Sequence, residues 1–170
     1  MNPLPVDPAD WHAYLAEGNA KQARKRVAAD VLIRDSNDSF LLVNPTYKPD
    51  WDLPGGMAEA NEPPDVAASR ELSEELGLTI KLGGLLVVDW VEPHGPWDDQ
   101  LAFIFDGGVI DTDRATSLYP HDSELSEVAF TSYEESRTRL RPRLTHRFEA
   151  AVRALSDGKL RYLHNGISVW

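Results

Sequence analysis

The stretch Gly56 to Leu78, GMAEANEPPDVAASRELSEELGL, decides how the rest of the chain is read. Its second half predicts a helix from about Pro64 to Leu76, stopped at Gly77, a residue type favoured at helix ends. With ~100° of turn per residue, Glu71, Glu74 and Glu75 fall within about one third of the helix circumference. Leu72 and Leu76 lie on a neighbouring face and anchor the helix in a core. Ala67 and Ala68 are expected on the carboxylate side, where small side chains leave room for a ligand. Carboxylates this close repel one another, and without a counter-charge at least one should hold its proton above the usual pH range. A hard divalent cation resolves the conflict, because magnesium prefers oxygen ligands. Arg70 adds a planar fork able to hold a carboxylate, and Glu62, eight residues earlier, is its natural partner. The Gly55-Gly56 pair permits a sharp turn and lets backbone carbonyls approach a metal.

A bland alternative exists, an acidic solvent-facing helix whose glutamates merely stay hydrated. The spacing argues against it. Gly56, Glu62, Arg70, Glu71, Glu74, Glu75 and Gly77 would recur by chance on the order of once in 10^8 starting positions at ordinary residue frequencies. The segment resembles the Nudix box, Gly-x5-Glu-x7-Arg-Glu-aliphatic-x-Glu-Glu-x-Gly-aliphatic, at every specified position. The approach Trp51-Asp52-Leu53-Pro54-Gly55-Gly56 and the flanking strand pattern extend the likeness over most of Arg26 to Thr131. The resemblance implies an α/β/α sandwich with a mixed β-sheet. It also implies magnesium-dependent hydrolysis of a diphosphate bond in a nucleoside diphosphate linked to another moiety, either an ADP-ribose-like compound or a nucleoside triphosphate. Magnesium, or manganese, would be bound by Glu71, Glu74, Glu75 and the Gly55 carbonyl, with Arg70 and Glu62 orienting the glutamates.

Water attacking phosphorus needs a carboxylate to take its proton. Glu74 or Glu71 can serve from the helix. Glu124 is a further choice, because some relatives place the base in a loop before a late strand; Glu127 is its near neighbour. Glu59 is expected to assist the metal shell. Arg34, Tyr47, Lys48 and Trp51 are the candidate substrate contacts, Trp51 by stacking on a base, although tryptophan at a strand start is more often a packing residue. His94, His121 and His164 have no metal-ligand spacing and are assigned no role. Pro93 stands fifteen residues after Leu78, a spacing reminiscent of ADP-ribose pyrophosphatases in the family, although with Pro96 in the same loop turn formation is the stronger explanation.

The remaining sequence divides into a helical extension at 1–23, the main domain at 24–158, and a C-terminal strand or tail at 159–170. Met1 to Val6 reads as loose. Asp7 and Pro8 then open a short helix whose Trp11, Tyr14 and Leu15 should dock on the domain or on a partner subunit. Strands are expected at Arg26–Asp35, Phe40–Val43, Thr79–Val91, Leu101–Phe105 and Glu127–Thr131. Leu144, Phe148, Ala151, Val152 and Leu155 mark an amphipathic helix begun or preceded by Pro142. The arginines at 137, 139, 141, 143, 147 and 153 are expected on its solvated face, or contacting phosphate or a subunit.

Composition narrows the function further. A net charge of −11 disfavours a general nucleic-acid binder, which needs a basic surface. No apolar run spans a bilayer and no secretion signal opens the chain, so a cytoplasmic protein is expected, without a membrane partner. The absence of cysteine excludes disulfides, thiolate metal sites and the cysteine-dependent isopentenyl diphosphate isomerases of the same fold. The expected partner is a small nucleotide-like diphosphate substrate, and a homodimer is open. The competing class is a non-catalytic nucleotide-sugar-sensing Nudix-like domain; such domains usually lose box glutamates, whereas all three are present here.

Overall fold

The computed structural model describes residues 7–170; the loose opening expected for Met1 to Val6 lies outside them. In chain order the elements are α1 (Pro8–Ala20), β1 (Arg26–Arg34), β2 (Phe40–Pro45), β3 (Gly55–Met57), α2 (Pro64–Leu76), β4 (Leu85–Val91), β5 (Gln100–Val109), α3 (Thr112–Ser117), β6 (Leu125–Thr131), α4 (Tyr133–Arg139), α5 (Pro142–Asp157), β7 (Arg161–His164) and β8 (Ile167–Ser168).

The central strands are apolar on both sides. On β1 and β2, Ala29, Val31, Ile33, Leu41 and Val43 point one way, and Leu32, Phe40 and Leu42 the other. Such a sheet must be covered on both faces. Helix α2 covers the first with Ala67, Ala68, Leu72 and Leu76. Helix α5, preceded by α4, covers the second with Leu144, Phe148, Ala151 and Ala154. The result is an α/β/α sandwich around a mixed sheet of strand order β6-β2-β1-β5-β4-β7-β8, with β3 attached to β1. β1 runs parallel to β5, and β4 to β7; the other pairs are antiparallel.

A change of partner along β1 positions the double glycine. At its end β1 pairs with β2 through Arg34 and Phe40, whereas nearer its start it pairs with β3 through Asp30–Gly55, Ala29–Gly56 and Ala28–Met57. Gly55 has φ +138°, and a Cβ there would lie 2.3 Å from the Ala29 carbonyl oxygen. Only glycine fits this close approach. At the other end of the site, Gly77 closes α2 in the left-handed conformation at φ 59°. Its N–H donates to the Ser73 carbonyl and that of Leu78 to the Leu72 carbonyl, each at 3.0 Å. This doubly bonded cap fixes where the helix ends, and so the height of Glu74 and Glu75.

Several expectations need correction. Ala67 and Ala68 are fully buried against the sheet; their smallness lets the helix backbone sit close to the strands rather than leaving space for a ligand. The strand expected at Thr79–Val91 begins only at Leu85, because residues 79–84, ending in Gly83-Gly84, pack as irregular chain that buries Leu78 and the side of Ile80. Helix α1 is capped by Asp7, whose side chain accepts the Ala9 N–H at 2.8 Å. None of its residues is buried, however, and Trp11 and Tyr14 stack on each other at 5.5 Å instead of on the domain. Its three-residue apolar stripe is too short to hold it to the sheet. Among the arginines, Arg147 turns inward and is buried, donating from Nε to Asp89 at 2.5 Å. Among the described residues no helix is long and apolar enough to cross a membrane.

Candidate active site

The loop from Ala58 to Pro63 folds back on itself so that Glu62 meets Arg70. Asn61 adopts a left-handed turn conformation at φ 64°, and the Glu59 N–H donates to Glu62 Oε2 at 2.8 Å. Arg70 then donates through Nε and Nη2 to the two Glu62 oxygens at 2.9 and 3.0 Å, a two-point clamp. Its Nη1 donates to Glu71 Oε1 and Glu74 Oε2, both at 2.9 Å, and its Nη2 to the Met57 carbonyl at 3.1 Å. One guanidinium therefore gathers three carboxylates and the backbone of β3. Partnership with Arg70 and the Glu59 N–H holds the Glu62 carboxyl below its ordinary range, and Glu62 in turn fixes Arg70 in its charged form.

Glu71 lies against Gly56, where a Cβ would stand 2.5 Å from the carboxylate carbon. Gly56 is thus required for the carboxylate to sit on the backbone of β3. Burial raises the affinity of Glu71 for a proton, Arg70 opposes the rise, and Glu74 and Glu124 reinforce it. Glu75 accepts the Gly55 N–H at 3.2 Å. Half-buried, it is pushed up to about 8 by desolvation, with added repulsion from Glu71, Asp122 and Asp30. Asp30 on β1 is pushed up to about 7 by burial and by Asp52, against the pull of Arg147, Arg141 and Lys48.

A second loop closes the site from the far side. The His121 N–H donates to the Glu75 carbonyl at 2.7 Å, and the His121 ring, stacked on Tyr119 at 4.5 Å, fills the space over Gly77. This packing holds Asp122 and Glu124 near the box glutamates. The Glu124 carbonyl accepts the Thr46 N–H at 2.7 Å, which ties the loop to the segment carrying Tyr47 and Lys48. Tyr47 is bordered by the charges of Asp52, Glu124, Glu75 and Arg141. Lys48 is paired with Asp52. Asp52 also has a buried oxygen, Oδ1, without a partner among the described residues.

The donor set fits a hard cation. Glu71, Glu74 and Glu75 each keep one oxygen outside the hydrogen bonds described, and the raised proton affinity of Glu71 and Glu75 marks a site short of positive charge. The three are not arranged as a finished coordination shell; among the described residues no group of acidic or histidine side chains is. Arg70 holds the other oxygen of Glu71 and of Glu74.

The pattern described as the NUDIX domain matches residues 24–153. The chain belongs to the NUDIX family. Its NUDIX domain is similar to that of mouse diphosphoinositol polyphosphate phosphohydrolase 3-alpha, with 46% identity over 66 residues, which is 38% of this chain and 40% of the relative. The match thus spans about two fifths of the relative's length. Among solved structures, a MutT protein from Methanosarcina mazei Go1 superposes with a TM-score of 0.66 at 23% identity, covering 80% of this chain and all of that one. A NUDIX hydrolase from Nitrosomonas europaea gives 0.67 at 19% identity over 84% of this chain and 80% of its own.

Within this NUDIX domain, Gly55, Glu62, Arg70, Glu71, Glu74 and Glu75 form one connected cluster, with Glu124 beside it. Glu59 contributes its backbone to that cluster, while its side chain is exposed. Tyr47 and Lys48 border the same opening. Trp51 does not offer a free face: the Arg139 guanidinium lies 4.5 Å above its ring, and Trp51 bridges to Leu140. Arg34 is elsewhere. It sits four residues beyond Asp30 on β1, roughly 13 Å along the strand at ~3.3 Å per residue, on the face covered by α5. Asp30, Asp52 and Asp122 belong to the site and were missed, because each is a single acid outside the box with no spacing signal.

Arg70→Lys keeps the charge and loses the fork. Turnover should fall by about 10–100-fold, as for loss of groups that orient metal ligands, with the melting temperature only slightly reduced. Steady-state kinetics and a thermal melt on one preparation check this, and parental turnover would remove Arg70 from the positioning role.

Proposed function

We propose that the chain hydrolyses a diphosphate linkage in a strongly anionic phosphorylated substrate, assisted by a divalent cation at Glu71, Glu74, Glu75 and the Gly55 carbonyl. The observation that carries this reading is Glu75, a half-buried carboxylate beside the double glycine that is pushed up to about 8. A carboxylate kept so far from its ordinary range awaits a positive charge. Bound there, magnesium or manganese supplies a more acidic water and neutralises the diphosphate. The residues do the rest. Arg70 holds Glu71 and Glu74 in place, and Glu71, Glu74 or Glu124 takes the proton from the attacking water. The intact set of glutamates favours catalysis over passive nucleotide-sugar sensing.

For the substrate, the cleft beside the box loop is informative. About 570 Å³ in volume, it is bordered by Arg24, Lys25 and Arg26 on one side and by the Met57–Glu62 loop on the other. Lys25 is paired with Asp99, and Arg24 and Arg26 next to a diphosphate-cleaving centre suit a substrate carrying phosphates beyond the scissile pair. The relatives named as diphosphoinositol polyphosphate phosphohydrolases make such a compound the first to test. A nucleoside diphosphate derivative or nucleoside triphosphate is the second reading, favoured by Tyr47, which is 70% exposed at the mouth of the site and offers an aromatic face.

The test is a panel of a diphosphoinositol polyphosphate, ADP-ribose and a nucleoside triphosphate, each with magnesium and with excess chelator. The expected result is the highest kcat/KM on the inositol compound, lost with chelator. Preference for ADP-ribose or a triphosphate moves the substrate to the second reading. Inertness of all three, or turnover indifferent to chelator, overturns the proposal.

A further inference from the structure

We propose that the α5 side of the sheet carries a second ligand site, for a small organic anion whose carboxylate meets Arg34 and whose apolar body fills the cavity beside it. The cavity, about 390 Å³, lies between the end of β1, the β1–β2 turn, the start of α4 and the last turns of α5. Phe40, Tyr133, Val152 and Leu155 form its walls, and Arg34 and Asp38 stand at its edge. That size, with mostly apolar walls and few polar groups, is the usual make-up of a small-molecule site.

Arg34 supplies the specificity. Among the described residues its buried Nε has no hydrogen-bond partner, and a buried donor without an acceptor opposes folding unless something supplies one. Asp38 does not. Its oxygen lies 3.6 Å from Nη1, beyond hydrogen-bonding reach, on a side chain 84% exposed. The Arg34 side chain lines the cavity and is 27% exposed, so its planar guanidinium, beside aromatic and branched aliphatic walls, matches a carboxylate on an aryl or branched alkyl body. Phe40 is locked in an aromatic cluster with Tyr133 and Phe148, at ring separations of 6.4 and 4.9 Å, so this wall is rigid before any ligand arrives. Arg34 lies four residues beyond Asp30 on β1, roughly 13 Å along the strand, and no box residue lines the cavity, so the site is separate from the hydrolytic centre.

The test uses phenylacetate and its neutral counterpart 2-phenylethanol, titrated into the 15N-labelled full chain while amide resonances are followed. Phenylacetate should shift residues 34, 40, 133 and 152–155 saturably, and 2-phenylethanol should bind about tenfold or more weakly, the expected worth of a charged hydrogen bond. Arg34→Met should remove the preference for the anion, and Asp38→Asn should strengthen it. Val152→Phe, which fills the cavity and leaves Arg34 in place, should abolish binding of both, so the inference does not rest on one variant folding. Absence of saturable shifts, equal binding of the two probes, or shifts centred on residues 55–75 would each overturn it.

Discussion

Glu75→Gln lowers diphosphate hydrolysis by about 100-fold or more while the protein stays folded, an effect of the size expected when a group serving a catalytic metal is lost. Glutamine has the same shape, and its carbonyl can still accept the Gly55 N–H that Glu75 accepts. What it lacks is charge. The variant therefore separates the electrostatic role of the side chain from its packing. Stability provides a second readout. The Glu75 carboxyl is raised from 4.5 to about 8 in the folded chain, so its protonated form favours folding. That contribution is fully present below the unfolded value and is lost as pH climbs through about 8. Without metal, the parent should lose melting temperature between about pH 5 and pH 8, and the variant should lose less. With magnesium, the parent should gain melting temperature because the cation binds only the folded site, and the variant should gain little. Thermal melts across pH, with and without magnesium, measure both; parental turnover in the variant would refute the role given to Glu75.

Arg147→Met should be the most damaging single change to the fold. Arg147 is 6% exposed and Asp89 wholly buried, and among the described residues Asp89 otherwise has only the Gly166 N–H, at 3.1 Å. Removing one partner of a buried pair leaves an uncompensated charge and costs roughly 3–5 kcal/mol, a fall of roughly 10 °C or more for a chain of this size. Adding Asp89→Asn removes the charge and keeps an acceptor for Gly166, so the double variant should recover most of the loss. A double variant no more stable than Arg147→Met would show that packing, not charge, is what Arg147 provides.

The sequence carried the fold wherever a periodic pattern or punctuating residue was strong. Helix α2 runs from Pro64 to Leu76 with its stop at Gly77, as its proline, leucine spacing and glycine predict. Both apolar faces of β1 and β2 follow from their hydrophobic runs, which on β1 only Asp30 interrupts. What escaped was set by tertiary contact. β3 is only three residues long and exists because β1 gives up β2 and needs another partner. Asp89 did leave a trace: it occupies the inward parity of Val87 and Val91 on β4, which should have marked one of the downstream arginines as buried. The site divides in the same way. Glu62, Arg70 and the box glutamates were readable because one helix and one loop fix their separations. Asp30, Asp52 and Asp122 arrive from three distant segments and meet only through the sheet. Arg34 was drawn to the active site by its charge alone; it lies four residues beyond Asp30 on β1, beside Phe40 and the last turns of α5.

The central claim is that Glu71, Glu74 and Glu75 turn their unpaired oxygens to a shared cation. Crystals grown with manganese and measured at its absorption edge test this most directly. An anomalous peak is expected within coordination distance of all three side chains and the Gly55 carbonyl. A peak placed elsewhere, or well-ordered crystals in which Arg70 keeps both carboxylates and no peak lies beside Glu75, would contradict it.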